Sequence, residues 1–148
     1  MKSLGFVLNP IAGMGGAVGL KGTDGQDILE KAIELGAVAT APERARQFLR
    51  GIAPFKHSLR IYTCAGIMGQ RECVDEEIVP FEVIGTPKER TSPEDTKQAA
   101  LEMHRRGIDL LVFCGGDGTA RDIMDTVDMT VAVLGVPAGV KIHSSAFA

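Results

Sequence analysis

The chain has 148 residues, the size of one domain with a sizeable core, and its 45% hydrophobic and 24% charged residues with 18 glycines describe a globular α/β protein and exclude a disordered one. A net charge of −3, a pI near 5.6, one tyrosine and no tryptophan argue against a nucleic-acid surface. No apolar run reaches the roughly 18 residues of a spanning helix, and Met1–Leu4 leads into a short strand rather than a secretory signal, so a cytoplasmic protein with no membrane partner is expected.

Leu4–Leu8 is a short apolar run without alternation, as in a strand covered on both faces of a parallel sheet. It ends at Asn9-Pro10. From there to Gly25 glycines fall at 13, 15, 16, 19, 22 and 25, too many for a helix, which describes a long loop. The loop is not a Walker A sequence, because Lys21 is followed by Gly22. Nor is it the dinucleotide fingerprint, because Gly13, Gly15 and Gly16 miss that spacing and no helix opens at once.

Asp27–Leu35 reads as a short helix stopped by Gly36. A second helix opens with Thr40 and Glu43 spaced as a capping box and Pro42 in its first turn. Ala45, Phe48, Leu49 and Ile52 then recur at helical spacing until Pro54. Arg44, Arg46 and Arg50 suit a solvated face better than a basic patch. Leu59–Thr63 is a second strand, Met68–Glu77 a further helix and Phe81–Ile84 a third strand. Ser92-Pro93-Glu94-Asp95 starts a helix running to Arg106, with Gly107 past its end and His104 in a last turn where cations suit the dipole. Asp109–Phe113 and Val131–Leu134 complete five strands. Cys64, Cys73 and Cys114 lack metal or disulfide spacing and read as reduced, buried thiols.

Strands alternating with helices predict an open, doubly wound parallel sheet of about five strands with helices on both faces. In the common order 3-2-1-4-5 the winding reverses between the first and fourth strands, and ligands sit beyond their carboxyl ends. The loops there are Asn9–Gly25 and Cys114-Gly115-Gly116-Asp117-Gly118-Thr119, so two glycine-rich stretches about a hundred residues apart are expected to converge. Strand, glycine turn and helix start together describe a phosphate site, with Thr119 and Asp122 spaced as a capping box. Asp117 does not fit a simple phosphate cradle. A carboxylate beside a polyanion suits a proton acceptor, a metal ligand or a hydroxyl-orienting group, which suggests phosphoryl transfer. The plainer alternative is a tight turn that Asp117 merely caps. Lys21 and Lys141 are candidate phosphate cations, each equally well read as a surface lysine. Asp122 is a candidate magnesium ligand, although capping explains it more simply.

Gly115-Gly116-Asp117-Gly118-Thr119 resembles the signature of the NAD kinase and diacylglycerol kinase superfamily. The opening Asn9-Pro10-Ile11-Ala12-Gly13, the segment Gly19–Gly25 and the closing Gly135–Lys141 resemble a prokaryotic branch called ATP-NAD kinase-like. The resemblance implies an N-terminal nucleotide-binding domain over residues 1–148 that phosphorylates NAD to NADP at the expense of ATP or another triphosphate, with Mg2+. It implies that Asp117 orients or deprotonates the NAD ribose 2′-hydroxyl and that Asn9 sits at the nucleotide site. Gly13, Gly15, Gly16, Gly115, Gly116, Gly118 and Thr119 would hold the phosphates with backbone amides and one hydroxyl.

Ordinary NAD kinases follow the fifth strand with a Gly-x-Leu-Gly-Phe pattern, whereas this chain has Pro137–Ser145, which leaves the acceptor open to another small or lipid hydroxyl. A non-catalytic nucleotide-binding domain is the alternative from another class. His143 lies just beyond the fifth strand, where a solvated terminal histidine is the simpler reading. The family's second, β-rich half is expected to be absent from this chain. By itself the chain is therefore expected to bind nucleotide weakly without phosphorylating NAD, and an apolar rim left exposed would favour a homo-oligomer.

Overall fold

The computed structural model describes residues 1–12, 40–127 and 130–138. Five parallel strands form one sheet in the order β3-β2-β1-β4-β5: β1 (Lys2–Leu8), β2 (Leu59–Cys64), β3 (Glu82–Ile84), β4 (Leu110–Gly115) and β5 (Ala132–Pro137). Around it lie α1 (Ala41–Ile52), α2 (Gln70–Asp75), α3 (Pro93–Arg105) and α4 (Asp117–Val127). The doubly wound α/β fold is as the sequence predicts. The helix expected over Asp27–Leu35 lies outside the described residues.

Alternation along the central strands builds two cores. Leu4, Phe6 and Leu8 of β1 pack with Ala41, Ala45 and Leu49 of α1 and Cys73 of α2 on one face. Val7 packs with Ala99, Ala100 and Met103 of α3 and Ala120, Ile123 and Val127 of α4 on the other. A strand with both faces buried needs the near-continuous apolar run that β1 and β4 carry, since every residue meets a helix layer.

Local differences from expectation have identifiable causes. Thr40 precedes α1 but makes no side-chain cap. Its hydroxyl instead donates to the Ala138 carbonyl at 2.9 Å, a tertiary tie that replaces the expected box with Glu43. Glu43 faces Arg46 and Arg50, which also reach Asp75 and Glu76, so the basic face of α1 is an ion-paired seam against the segment around α2. The helix expected over Met68–Glu77 is divided: a 3-10 turn, Gly66–Met68, precedes Gly69, whose φ of +137° breaks the helical path before Gln70. The Ser92 start of α3 is as expected, with its backbone N–H donating to Asp95 Oδ2 at 2.9 Å. All three cysteines are buried and free. Burial pushes each thiol up to about 12, so at neutral pH they stay protonated and act as small apolar filler.

Among the described residues Glu72 is the one buried side chain with an ionisable carboxyl. It is 1% exposed on α2, and its Oε2 has no hydrogen-bond partner among the described residues. Burial raises its pKa, against a lowering contribution from its own backbone amide and the cations Arg46 and Arg71. An acid whose folded value lies above its unfolded one binds its proton more tightly in the native state. The stability this gives is complete below the unfolded value and is lost as pH rises through the raised folded value. Glu72→Gln keeps the shape and removes the titration. Thermal or urea unfolding between about pH 5 and pH 8 is expected to show the variant gaining on the parent as pH rises. A parent and variant that keep a constant difference across that range would show that Glu72 does not titrate there.

Candidate functional site

The site is built where β1 and β4 end side by side. Leu8 pairs with Cys114, and the next amide, Asn9 N–H, donates to the Cys114 carbonyl at 2.9 Å. On the other side Gly115 pairs with Pro137, and Ala138 N–H donates to the Gly115 carbonyl at 3.0 Å. Through Ala138 the rim is tied to Thr40 and so to the start of α1. Cys114 adds a third stitch, its thiol donating to the Ala41 carbonyl at 3.4 Å. Three strand ends and two helix starts are thus fixed at one level, at the point where the winding of the sheet reverses.

The glycine turn is tighter than the sequence suggests. β4 continues to Gly115, and α4 begins at Asp117, two residues before the expected start at Thr119. Ala120 N–H donates to the Gly116 carbonyl at 3.0 Å, so Gly116 occupies the cap position and Asp117, Gly118 and Thr119 form the first helical turn. The expected capping box between Thr119 and Asp122 is therefore replaced: Thr119 is inside the helix and 3% exposed. Its hydroxyl accepts a hydrogen bond from Asn9 Nδ2 at 3.0 Å. The same Asn9 side chain accepts from Ile11 N–H through Oδ1 at 3.3 Å, and its carbonyl accepts from Ala12 N–H at 3.2 Å. Asn9 thereby links the loop leaving β1 to the first turn of α4.

The two glycines of the turn have different reasons. A Cβ on Gly115 would stand 2.5 Å from Thr119 Oγ1 and 2.6 Å from Thr119 Cβ, so helix and strand touch here through the missing side chain. Among the described residues, a Cβ on Gly116 would meet nothing within 4 Å. Close packing explains the first glycine and leaves the second to an open approach from the crevice. Asp117 is part exposed at the start of a helix, where a carboxylate is favourably placed in the dipole field.

Of the residues expected at the site, the fold brings together Asn9, Gly115, Gly116, Asp117, Gly118 and Thr119. Gly13, Gly15, Gly16, Lys21 and Lys141, together with His143, lie outside the described residues. Asp122 is also on α4, five residues from Asp117 and so about 140° around the helix axis, which puts the two carboxylates on different faces. Among the described residues no group of three or more His, Cys, Asp or Glu side chains could hold a metal.

A feature not anticipated from sequence is the turn at the carboxyl end of β2, on the same rim. Gly66 adopts φ +65°, its N–H donates to Gln70 Oε1 at 2.9 Å, and Gly69 bridges back to Cys64. The Gly66-Ile67-Met68-Gly69 spacing between a strand and a helix is the signal from which it could have been read. Among the described residues no helix is long and apolar enough to cross a membrane.

Comparison with known proteins adds a family to this geometry. The family described as ATP-NAD kinase N-terminal domain matches residues 4–148. No curated protein and no solved structure matches the chain. With all but the first three residues covered, the chain belongs to the ATP-NAD kinase N-terminal domain family, and its function is kinase-like.

Proposed function

We propose that the chain is the nucleotide-holding α/β half of a cytoplasmic kinase that transfers a phosphoryl group from ATP, or another triphosphate, to the 2′-hydroxyl of NAD. The observation that carries this reading is the Asn9–Thr119 bond across the switch point, which sets the opening turn of α4 beside the loop leaving β1. In this reading the opening amides of α4 receive the phosphate chain, because a helix start concentrates N–H donors and positive potential. Gly116 lets the phosphates approach the backbone, and Gly13, Gly15 and Gly16 close the other side. Lys21 and Lys141 offset the remaining charge.

Asp117 takes the proton of the ribose hydroxyl as its oxygen bonds to the γ-phosphorus, while the bond from that phosphorus to the bridging oxygen breaks and the diphosphate leaves. Magnesium, when bound with the triphosphate, supplies charge neutralisation of the phosphate oxygens. The acceptor is gripped by a second, β-rich half of the family's kind. The departure at Pro137–Ser145 favours a second reading for that acceptor alone, a hydroxyl on a different small molecule.

Titration of the 15N-labelled chain with ATP and magnesium tests the nucleotide half of the proposal. Saturable shifts of the Asn9 and Gly115–Thr119 amides are expected; their absence up to about 10 mM nucleotide would overturn it. NADP formation by an enzyme carrying the domain tests the acceptor. Phosphorylation of another hydroxyl in place of NAD would leave the nucleotide site standing and replace the acceptor.

A further inference from the structure

The buried carboxyl of Glu72 lies close to the rim. α2 packs against α1, and Glu72 is sealed there, 1% exposed, with no hydrogen-bond partner for its Oε2 among the described residues. When ionised it bears electrostatically on the Cys114 thiol. Cys114 stands directly before the glycine turn. Its thiol donates to the Ala41 carbonyl at 3.4 Å, and its own carbonyl accepts from Asn9 N–H at 2.9 Å. Glu72 is thus one residue removed from both the start of α1 and the loop leaving β1.

The groups that face Glu72 leave a charge there poorly offset. Burial favours the protonated acid more strongly than its own backbone amide and the neighbouring cations oppose it. From α1, Arg46 favours the ionised form, but Asp75 at 3.3 Å and Glu43 at 3.6 Å already share its charge. On α2, Arg71 favours ionisation and Asp75 opposes it, both from exposed positions. Cys73 and Cys114 are neutral thiols, and Arg44 of α1, which bears on Cys114, is exposed. A carboxylate so placed must draw in water or repel what lies beside it, whereas the protonated acid does neither. Water entering here would part α1 from the strand ends and loosen the stitch between Cys114 and Ala41. A negative charge left dry beneath a phosphate position would oppose the polyanion through a poorly screening interior. Both responses lower affinity at the rim.

We propose that Glu72 is a proton-linked switch of the nucleotide site: protonated, it keeps the rim in the form that receives phosphates, and ionised, it weakens their binding. The inference rests on the nucleotide reading above. Affinity is full below the folded midpoint of Glu72 and falls as pH rises through it. The coupling is reciprocal, so bound nucleotide makes Glu72 harder to ionise, and a threefold change in affinity corresponds to a rise of its midpoint by about half a pH unit.

The Glu72 carboxyl is followed by 13C NMR from about pH 5 to pH 8, in the free chain and with excess ATP and magnesium, and ATP affinity is measured over the same range for the parent and for Glu72→Gln. In the free chain the amides of Asn9, Ala41 and Cys114 are expected to shift with the Glu72 midpoint, and ATP is expected to move that midpoint upward. The ratio of parent to variant affinity cancels the titration of ATP itself. It is expected to be near one at the acid end and to fall about threefold toward the alkaline end. The proposal is overturned if Glu72 does not titrate in this range, if its midpoint is the same with and without ATP, or if the affinity ratio is constant. The carboxyl titration is read in the parent chain, so it decides the matter even where Glu72→Gln fails to fold. ATP that binds neither chain at any pH overturns the nucleotide reading and this proposal with it, whereas binding to both at a constant ratio overturns this proposal alone.

Discussion

Replacing Asp117 by asparagine in an enzyme carrying this domain is expected to lower turnover about a hundredfold or more while nucleotide affinity is kept. The substitution preserves size and polarity and removes the only feature the proposed step needs from this side chain, a basic oxygen. In the proposed site the phosphates are held by backbone amides at the start of α4, which the change leaves in place, so binding is expected to persist. Steady-state kinetics and a binding isotherm for ATP with magnesium read the two quantities separately. If the main task of Asp117 were to hold the metal, the variant would instead lose affinity for the magnesium complex and keep affinity for the free nucleotide. If Asp117 only served the helix dipole, turnover would stay near normal and stability would fall by about 0.3–1 kcal/mol, the usual worth of a charge in the first turn.

The sheet was readable because its signals are local and repeated. Apolar runs at Leu4–Leu8 and Asp109–Phe113 suit strands buried on both faces, Leu59–Thr63 reads as a further strand, and the alternation with helices favours a parallel arrangement. The convergence of Asn9 with the Gly115–Thr119 turn follows from that topology. The details that define the site were not readable, because each depends on a partner far away in sequence. Thr40 and Glu43 have the spacing of a capping box, yet the Thr40 hydroxyl goes to Ala138, 98 residues on. Thr119 and Asp122 have the same spacing, yet α4 starts two residues earlier. Glycine is a poor helix residue, so Gly118 reads as part of the turn, whereas the structure draws Thr119 into the first turn of α4 with its hydroxyl bonded to Asn9, 110 residues away. Glu72 shows the same limit in another form. Nothing in Gln70–Asp75 marks a glutamate for burial, since its environment is set by α1 and the ends of the central strands.

The difference between the two adjacent glycines supplies the second large effect. Gly115→Ala places a methyl group 2.5 to 2.8 Å from three atoms of Thr119, closer than real side chains approach. Thr119 cannot swing away cheaply. It is β-branched, it lies within a helix, it is buried, and its hydroxyl is bonded to Asn9. The first turn of α4 must therefore move off the end of β4, as in other overpacked cores, with an expected loss of about 1–3 kcal/mol in a denaturant titration. The same movement shifts the opening amides away from the proposed phosphate position, and a displacement of this kind is expected to weaken binding of ATP with magnesium by about tenfold or more. Gly116→Ser is the matched control. Its added atoms meet nothing among the described residues and serine is a favoured cap, so stability is expected to hold or rise by a few tenths of a kcal/mol. Equal losses at both positions would mean that the turn tolerates no side chain at all, and that contact with Thr119 is not what selects glycine at Gly115. A Gly115→Ala protein with parental stability and parental affinity would remove the turn of α4 from the site altogether.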